Sequence, residues 1–152
     1  MVAAKNNHKT TVKRLLSLGA DPLAVDKGGW TALHHAAGRG QDDCVRVLLA
    51  VSDVKATTIA GSTPLHWAVW AGYLETVKLL TNEDVTVLDT EDEDGNTPLD
   101  EATMHGQHAV EAWLAKKSGA VHMDAARCLR LMRIRRGWDE TCHSDIVSWM
   151  AE

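Results

Sequence analysis

Few residues of this 152-residue chain are spaced for metal binding. The acidic run at positions 91–95 places Asp92, Asp94 and Glu101 at the third, fifth and twelfth positions of a calcium-binding loop. Its first ligand would then be Thr90, which is a poor one, and the segment that follows reads as a helix start. We therefore predict no metal site and no bound cofactor.

Residues for nucleophilic catalysis are equally sparse. Cys44 lies in the apolar stripe of a predicted helix, where burial is the default role of a cysteine. Cys142 and His143 are adjacent in sequence, and sequence neighbours rarely face each other. The chain has no glycine-rich phosphate loop and neither the HExxH nor the GxSxG motif. We predict no catalytic residues, and a protein that is not an enzyme.

The composition narrows the class further. Hydrophobic residues make up 45% of the chain, which is typical of a globular protein, and the net charge of −5 argues against nucleic-acid binding. No apolar run approaches the roughly 18 residues of a membrane span, and the first residues lack a secretory signal. Three widely spaced cysteines predict a reducing, intracellular compartment, cytoplasmic by default, or an organelle if a transit peptide was removed.

The elements that would position any site come from an internal repeat. Three similar tetrapeptides begin at Thr31, Thr63 and Thr97, at spacings of 32 and 34 residues: Thr-Ala-Leu-His, Thr-Pro-Leu-His and Thr-Pro-Leu-Asp. Each threonine suits a helix N-cap, and proline suits the first helical position. Each start leads to a glycine able to end a short helix, followed by an apolar stripe at helical spacing. These glycines are Gly40, Gly72 and Gly106, and Asn7 takes the same place upstream.

These starts, glycines and stripes resemble the ankyrin repeat family over roughly residues 3 to 121. The resemblance implies an all-α solenoid of stacked helix–turn–helix units with short β-hairpin fingers. Four repeats are expected at about 1–25, 26–57, 58–91 and 92–123, the first of them truncated. The resemblance also implies that His34 and His66 bond across to the backbone of neighbouring repeats.

Residues 124–152 follow the repeats. The segment from Asp124 to Arg136 reads as an arginine-rich helix with a buried stripe, and Asp145 to Met150 reads as a second helix. Two helices in this place predict a C-terminal cap over the last repeat. The alternative is a docking segment for an acidic partner or a groove that receives a basic helix.

Ankyrin proteins usually bind partners on the concave face, made of fingertips and exposed inner-helix positions. Trp30 and Trp70 are the predicted anchors, since tryptophan and arginine are enriched where binding energy concentrates. They could instead pack on each other or on neighbouring fingers, and Trp67 and Trp113 are predicted to face the core. Carried over by register, the predicted partner-binding residues are Lys27, Trp30, Arg39, Ile59, Ser62, Trp70, Glu93, Asp94, Asn96, Met104 and His105.

The leading functional hypothesis is a non-catalytic scaffold or adaptor that binds a partner protein through this face. Because seven acidic and no basic residues lie between positions 83 and 94, the partner surface opposite the fourth finger is expected to be partly basic. The alternative is a permanently bound subunit of a large assembly, with its tryptophan-rich faces and C-terminal helices buried by neighbours. A regulatory fragment of an enzyme or channel would need a domain that this chain does not show. Neither nucleic acid nor direct membrane insertion is expected.

Overall fold

The computed structural model describes residues 1–119, and the predicted helices at 124–152 lie outside this range. Its elements are eight α-helices and one short 3-10 turn within that range: α1 (Val2–Lys5), α2 (Lys9–Ser17), α3 (Ala32–Ala37), α4 (Asp42–Leu49), α5 (Pro64–Trp70), α6 (Leu74–Glu83), the turn Val85–Asp89, α7 (Pro98–Met104) and α8 (His108–Ser118). None of these helices is long and apolar enough to cross a bilayer.

The helices form two layers. The odd-numbered helices α1, α3, α5 and α7 contact one another in succession and are the inner helices; the even-numbered ones form the outer layer in the same order. Each inner helix also contacts the outer helix that follows it. This stacking of helix pairs confirms the predicted all-α solenoid.

The starts of α3, α5 and α7 follow the predicted local chemistry. Thr31, Thr63 and Thr97 occupy the three N-cap positions in extended backbone conformation. The Nδ1 atom of His34 accepts a hydrogen bond from the backbone N–H of Thr31 at 3.2 Å, and His66 does the same for Thr63. Each histidine thereby satisfies a backbone donor that the first helical turn leaves without a partner.

The inner helices end as predicted. Gly40, Gly72 and Gly106 have φ values of +64°, +77° and +65°, and Asn7 has φ +58°. A left-handed residue at this point reverses the chain so that the outer helix can run back along the inner one. Asparagine is the non-glycine residue that tolerates this conformation most readily, which explains its use in the first repeat.

A continuous core lies between the two layers. Leu33 and Leu65 of the inner helices are fully buried, and so are Leu48, Leu80 and Leu114 of the outer helices. Burying each such side chain contributes about 1.5–3 kcal/mol. Because helices of neighbouring repeats contact one another in both layers, the core depends on stacking.

The fingers between repeats are simpler than the resemblance implied. Each is a tight turn closed by two backbone hydrogen bonds. The first runs from Asp26 N to Trp30 O, Thr58 N to Ser62 O and Asp92 N to Asn96 O, and the second from Gly29 N, Gly61 N and Gly95 N to the carbonyl oxygen of the first residue of the same turn. Residues 1–119 contain no β-strand. The predicted β-hairpins are thus reduced to turns, which are too short to form a ladder of their own.

Candidate functional site

Five aromatic rings form a continuous row along the fingers and inner helices. Trp30 and Trp67 have ring centroids 4.3 Å apart, and Trp67 and Trp70 are 6.0 Å apart in an edge-to-face arrangement. His35 stacks on Trp30 at 5.0 Å, and His105 meets Trp70 edge-on at 6.0 Å. This aromatic row, as we call it, runs from the second repeat to the fourth. We refer to the surface that carries it as the inner-helix face.

Exposure differs along the aromatic row. Trp70 is 51% exposed, whereas Trp30 is half-buried because His35 and Trp67 cover its two sides. Trp30 therefore combines the two roles that the sequence left open: it packs on its neighbours and still presents a surface.

Trp67 corrects the sequence prediction. It was expected to face the core, but it is half-buried and lies between Trp30 and Trp70 in the aromatic row. Its indole Nε1 has no hydrogen-bond partner within the described residues. The helical spacing indicated this position, because residues three apart lie on the same side of a helix and Trp70 was expected on the surface.

Two sets of hydrogen bonds hold the fingers in line. The backbone N–H of Ile59 donates to Gly28 O at 3.1 Å, and that of Glu93 donates to Ala60 O at 3.2 Å. These bonds join each fingertip to the next. Because Trp30 is the last residue of the second finger, the spacing of the aromatic row depends on them.

The cap histidines supply the second set, as the resemblance implied. His34 Nε2 donates to Ser62 O at 3.2 Å, and His66 Nε2 donates to Asn96 O at 3.1 Å. Burial lowers the pKa of His34 to about 4, so it is neutral at physiological pH and Nδ1 stays free to accept. Asp100, in the same position of the last copy, accepts from Thr97 N at 2.9 Å and keeps the local half of the motif.

At the second-repeat end of the row, a contact between a carboxylate and an imidazole fixes the outermost ring. Asp26 Oδ2 lies 2.9 Å from His35 Nε2, and its other oxygen accepts from the backbone N–H groups of Gly28 and Trp30. The hydrogen bond from His35 is the main reason that the pKa of Asp26 is lowered. One carboxylate thus positions both the finger and the ring stacked on Trp30.

The fourth-repeat end carries negative charge. The Glu101 side chain is 14% exposed and lies 3.2 Å from His105 Nε2. Burial raises the pKa of Glu101 and His105 opposes this change, while the nearby Asp92 and Asp94 raise the pKa further. Glu93 and Asp94 are both exposed at the fingertip. An exposed aromatic ring and several carboxylates therefore meet at this end.

The predicted contact residues are distributed unevenly. Most are exposed or half-buried on the fingers and the ends of the inner helices: Lys27, Arg39, Ile59, Ser62, Glu93, Asp94, Met104 and His105. Asn96 is a correction, because it is only 4% exposed. Its backbone N–H donates to Asp92 Oδ1 at 2.8 Å and its carbonyl accepts from His66, so it holds the finger and is not available for contact.

The thiol of Cys44 and the ring of Trp113 lie outside the aromatic row. Cys44 is fully buried in the core, and burial raises the pKa of its thiol. In residues 1–119, no three His, Cys, Asp or Glu side chains are grouped as metal ligands. Trp113 of α8 is also half-buried, with the ammonium groups of Lys78 and Lys117 5.6 and 5.9 Å from its ring.

Comparison with known proteins identifies the family. A profile described as ankyrin repeats in three copies matches residues 1–90 and 61–126. The chain is 32% identical to the B-cell lymphoma 3 protein homolog of Mus musculus, over 88% of the chain and 35% of that protein. It is 35% identical to the human ankyrin repeat and SOCS box protein 16, over 69% of the chain and 23% of that protein. The corresponding values for an ankyrin repeat protein of Rickettsia bellii are 36%, 75% and 64%.

The chain thus spans about a third of the length of the B-cell lymphoma 3 proteins. Ankyrin repeats in general mediate protein–protein interaction and are typically non-catalytic. On the match to the repeat profile and on the stacked helix pairs, the chain belongs to the ankyrin repeat family.

Proposed function

We propose that this chain is a non-catalytic interaction module that binds a partner protein through its inner-helix face. The observation that carries the proposal is the aromatic row, which crosses three repeats and ends at the exposed ring of Trp70. Monomeric proteins seldom expose aligned tryptophans, and these side chains bury a large area at a small cost in side-chain entropy.

The geometry supports strong binding because the row is already ordered. Trp30 is fixed by His35 and by the finger, and Trp67 by the rings on either side of it. Binding of a partner that covers them would therefore cost little further side-chain entropy. Predicted contacts at Lys27, Arg39 and Ile59 surround the row with exposed, adaptable side chains.

Substitution of single tryptophans tests this proposal. The chain is used to capture a partner from native extract, the partner is purified, and its dissociation constant is measured. We expect Trp70→Ala to weaken binding by at least about tenfold, as loss of an interface anchor does. Trp113→Ala is the matched control, because it removes a half-buried tryptophan from the outer layer. Unchanged binding by Trp70→Ala and Trp30→Ala, with weakening by Trp113→Ala, would place the interface elsewhere.

A permanently bound subunit is the second candidate, and one observation favours it. Leu15, Leu18, Leu23 and Val25 of the first repeat are 44–69% exposed. Several exposed large apolar side chains within one repeat are typical of a surface that a partner covers. Size-exclusion chromatography separates the candidates: the module is expected to elute as a monomer, whereas an obligate subunit is expected to aggregate when it is purified alone.

The remaining parts of the proposal concern class and compartment. Cys44 is a free thiol in the core, which fits a reducing intracellular environment, with the cytoplasm as the default. The net charge of −5 supports a protein partner and not a nucleic acid. For the same module we propose no cofactor and no catalytic residue.

A further inference from the structure

We propose that the partner places an arginine side chain at the fourth-repeat end of the aromatic row, over Trp70 and beside Glu101. The inference rests on the proposed function, and it adds the chemistry and the direction of the bound segment. The occupant is an extended peptide segment in which an apolar residue covers Trp67 and a nearby arginine reaches Trp70. Three features of the inner-helix face support it.

The first feature is the polarity of the face. At the second-repeat end the exposed charged side chains are those of Asp26, Lys27 and Arg39, and Asp26 is hydrogen-bonded to His35. At the fourth-repeat end they include Glu93 and Asp94, with Glu101 set deeper. The charge therefore becomes more negative along the row, and a bound segment is favoured in the direction that brings its positive charge to the fourth repeat.

The second feature is the setting of Glu101. Its side chain is largely buried and lies near two further carboxylates, and the group facing it is the imidazole of His105 at 3.2 Å. An imidazole balances this carboxylate only when it is protonated. A guanidinium from a partner would supply a permanent positive charge at the same carboxylate.

The third feature is the ring beside this carboxylate. Trp70 is half-exposed, and His105, which contacts Glu101, also meets its ring edge-on at 6.0 Å. His105 thus brings a cation-forming group of the protein itself to both Trp70 and Glu101. Arginine fits this arrangement better than lysine, because its planar group can stack on an indole and still donate hydrogen bonds to a carboxylate at its edge.

Selection from a library of short random peptides tests the inference without a known partner. The library is selected against the unaltered chain and against Glu101→Gln, Trp70→Ala and Glu75→Gln. Glu75→Gln is the matched control, because Glu75 is an exposed acid of α6 that pairs with Lys78 on the outer layer. Thermal melting curves establish that each variant is folded before selection.

We expect peptides selected by the unaltered chain to contain arginine next to an apolar or aromatic residue. These peptides should bind Glu101→Gln at least about tenfold more weakly and Glu75→Gln equally well, and replacing their arginine by lysine should weaken binding less than replacing it by glutamine. Selected peptides without arginine or lysine, or equal binding by Glu101→Gln, would overturn the inference alone. If Trp70→Ala binds them undiminished, or no peptide is selected, the proposed function fails with it.

Discussion

The contact between neighbouring fingers allows a quantitative test of how the aromatic row is positioned. Gly29 has φ +78°, and a Cβ atom built on it would lie 2.9 Å from Ile59 N and 3.2 Å from the carbonyl carbon of Thr58. Both neighbours are backbone atoms of the third finger, so they cannot turn aside as a flexible side chain could. The substitution Gly29→Ala must therefore push two fingers apart.

Gly19 provides the matched control. It has φ +85°, and nothing lies within 4 Å of a Cβ atom at this position. Gly19→Ala should cost only the left-handed conformation of an alanine, about 1 kcal/mol. Gly29→Ala should add the overlap with the third finger and the loss of the hydrogen bond from Ile59 N to Gly28 O, for a total of about 3 kcal/mol.

Urea denaturation followed by circular dichroism measures both free energies of unfolding. We expect Gly29→Ala to lose about 2 kcal/mol more than Gly19→Ala, from the overlap and the lost hydrogen bond. Equal losses would refute the reasoning, because they would show that the fingers separate at no cost. The intrinsic fluorescence of the six tryptophans serves as a second probe, since the contribution of Trp30 should change in Gly29→Ala and remain unchanged in Gly19→Ala.

Two further predictions concern fingers and caps. Asp26 and Asp92 each accept two backbone N–H groups in their fingers, whereas the Oγ1 of Thr58 in the third finger is buried and accepts none. In urea denaturation, Thr58→Asp should therefore stabilise the chain by about 1 kcal/mol and Asp92→Ala should destabilise it by about 2 kcal/mol. Burial lowers the pKa of His34 to about 4, so between pH 6.5 and pH 4 this histidine is protonated in the unfolded chain and neutral in the folded chain. The free energy of unfolding should therefore fall by roughly 3 kcal/mol as the pH falls from 6.5 to 4. A constant free energy of unfolding across this range would contradict the role assigned to His34.

The helix boundaries were predictable because they depend on local chemistry. An N-cap threonine and a left-handed glycine each act within one turn of helix, and Thr31 and Gly40 lie where the sequence placed them. Asn7 stands in the first repeat where the other repeats have a glycine, and it was predictable for the same reason, because asparagine also tolerates a left-handed backbone. These local preferences hold here because each repeat uses the same turn between its inner and outer helix.

Side-chain exposure was less predictable, because alignment with the repeat locates a residue on a finger or helix and does not show which neighbouring side chains cover it. Trp30 and Asn96 both end a finger, and both donate a backbone N–H to the aspartate of that finger. The Trp30 ring lies against other rings, whereas the side-chain amide of Asn96 turns back to donate to Asp92 Oδ2 at 3.4 Å. Asparagine is short and polar, so it can satisfy Asp92, whereas an indole of that size must lie over the neighbouring helix. Trp67 was expected to face the core, whereas it lies one helical turn from Trp70 and belongs with it to the aromatic row.

These observations together explain why the face is suited to recognition and not only to stability. The core leucines hold the helix pairs, while two cap histidines and two finger hydrogen bonds set the distance between repeats. None of these groups belongs to the aromatic row, yet they fix where its rings stand. Folding therefore orders this surface before a partner binds, so the contacts of Trp30 and Trp70 contribute to affinity with little further loss of side-chain entropy. Substitution of Gly29 or Gly61, whose added Cβ atoms would meet only the backbone of the next finger, should consequently weaken binding without touching an aromatic ring.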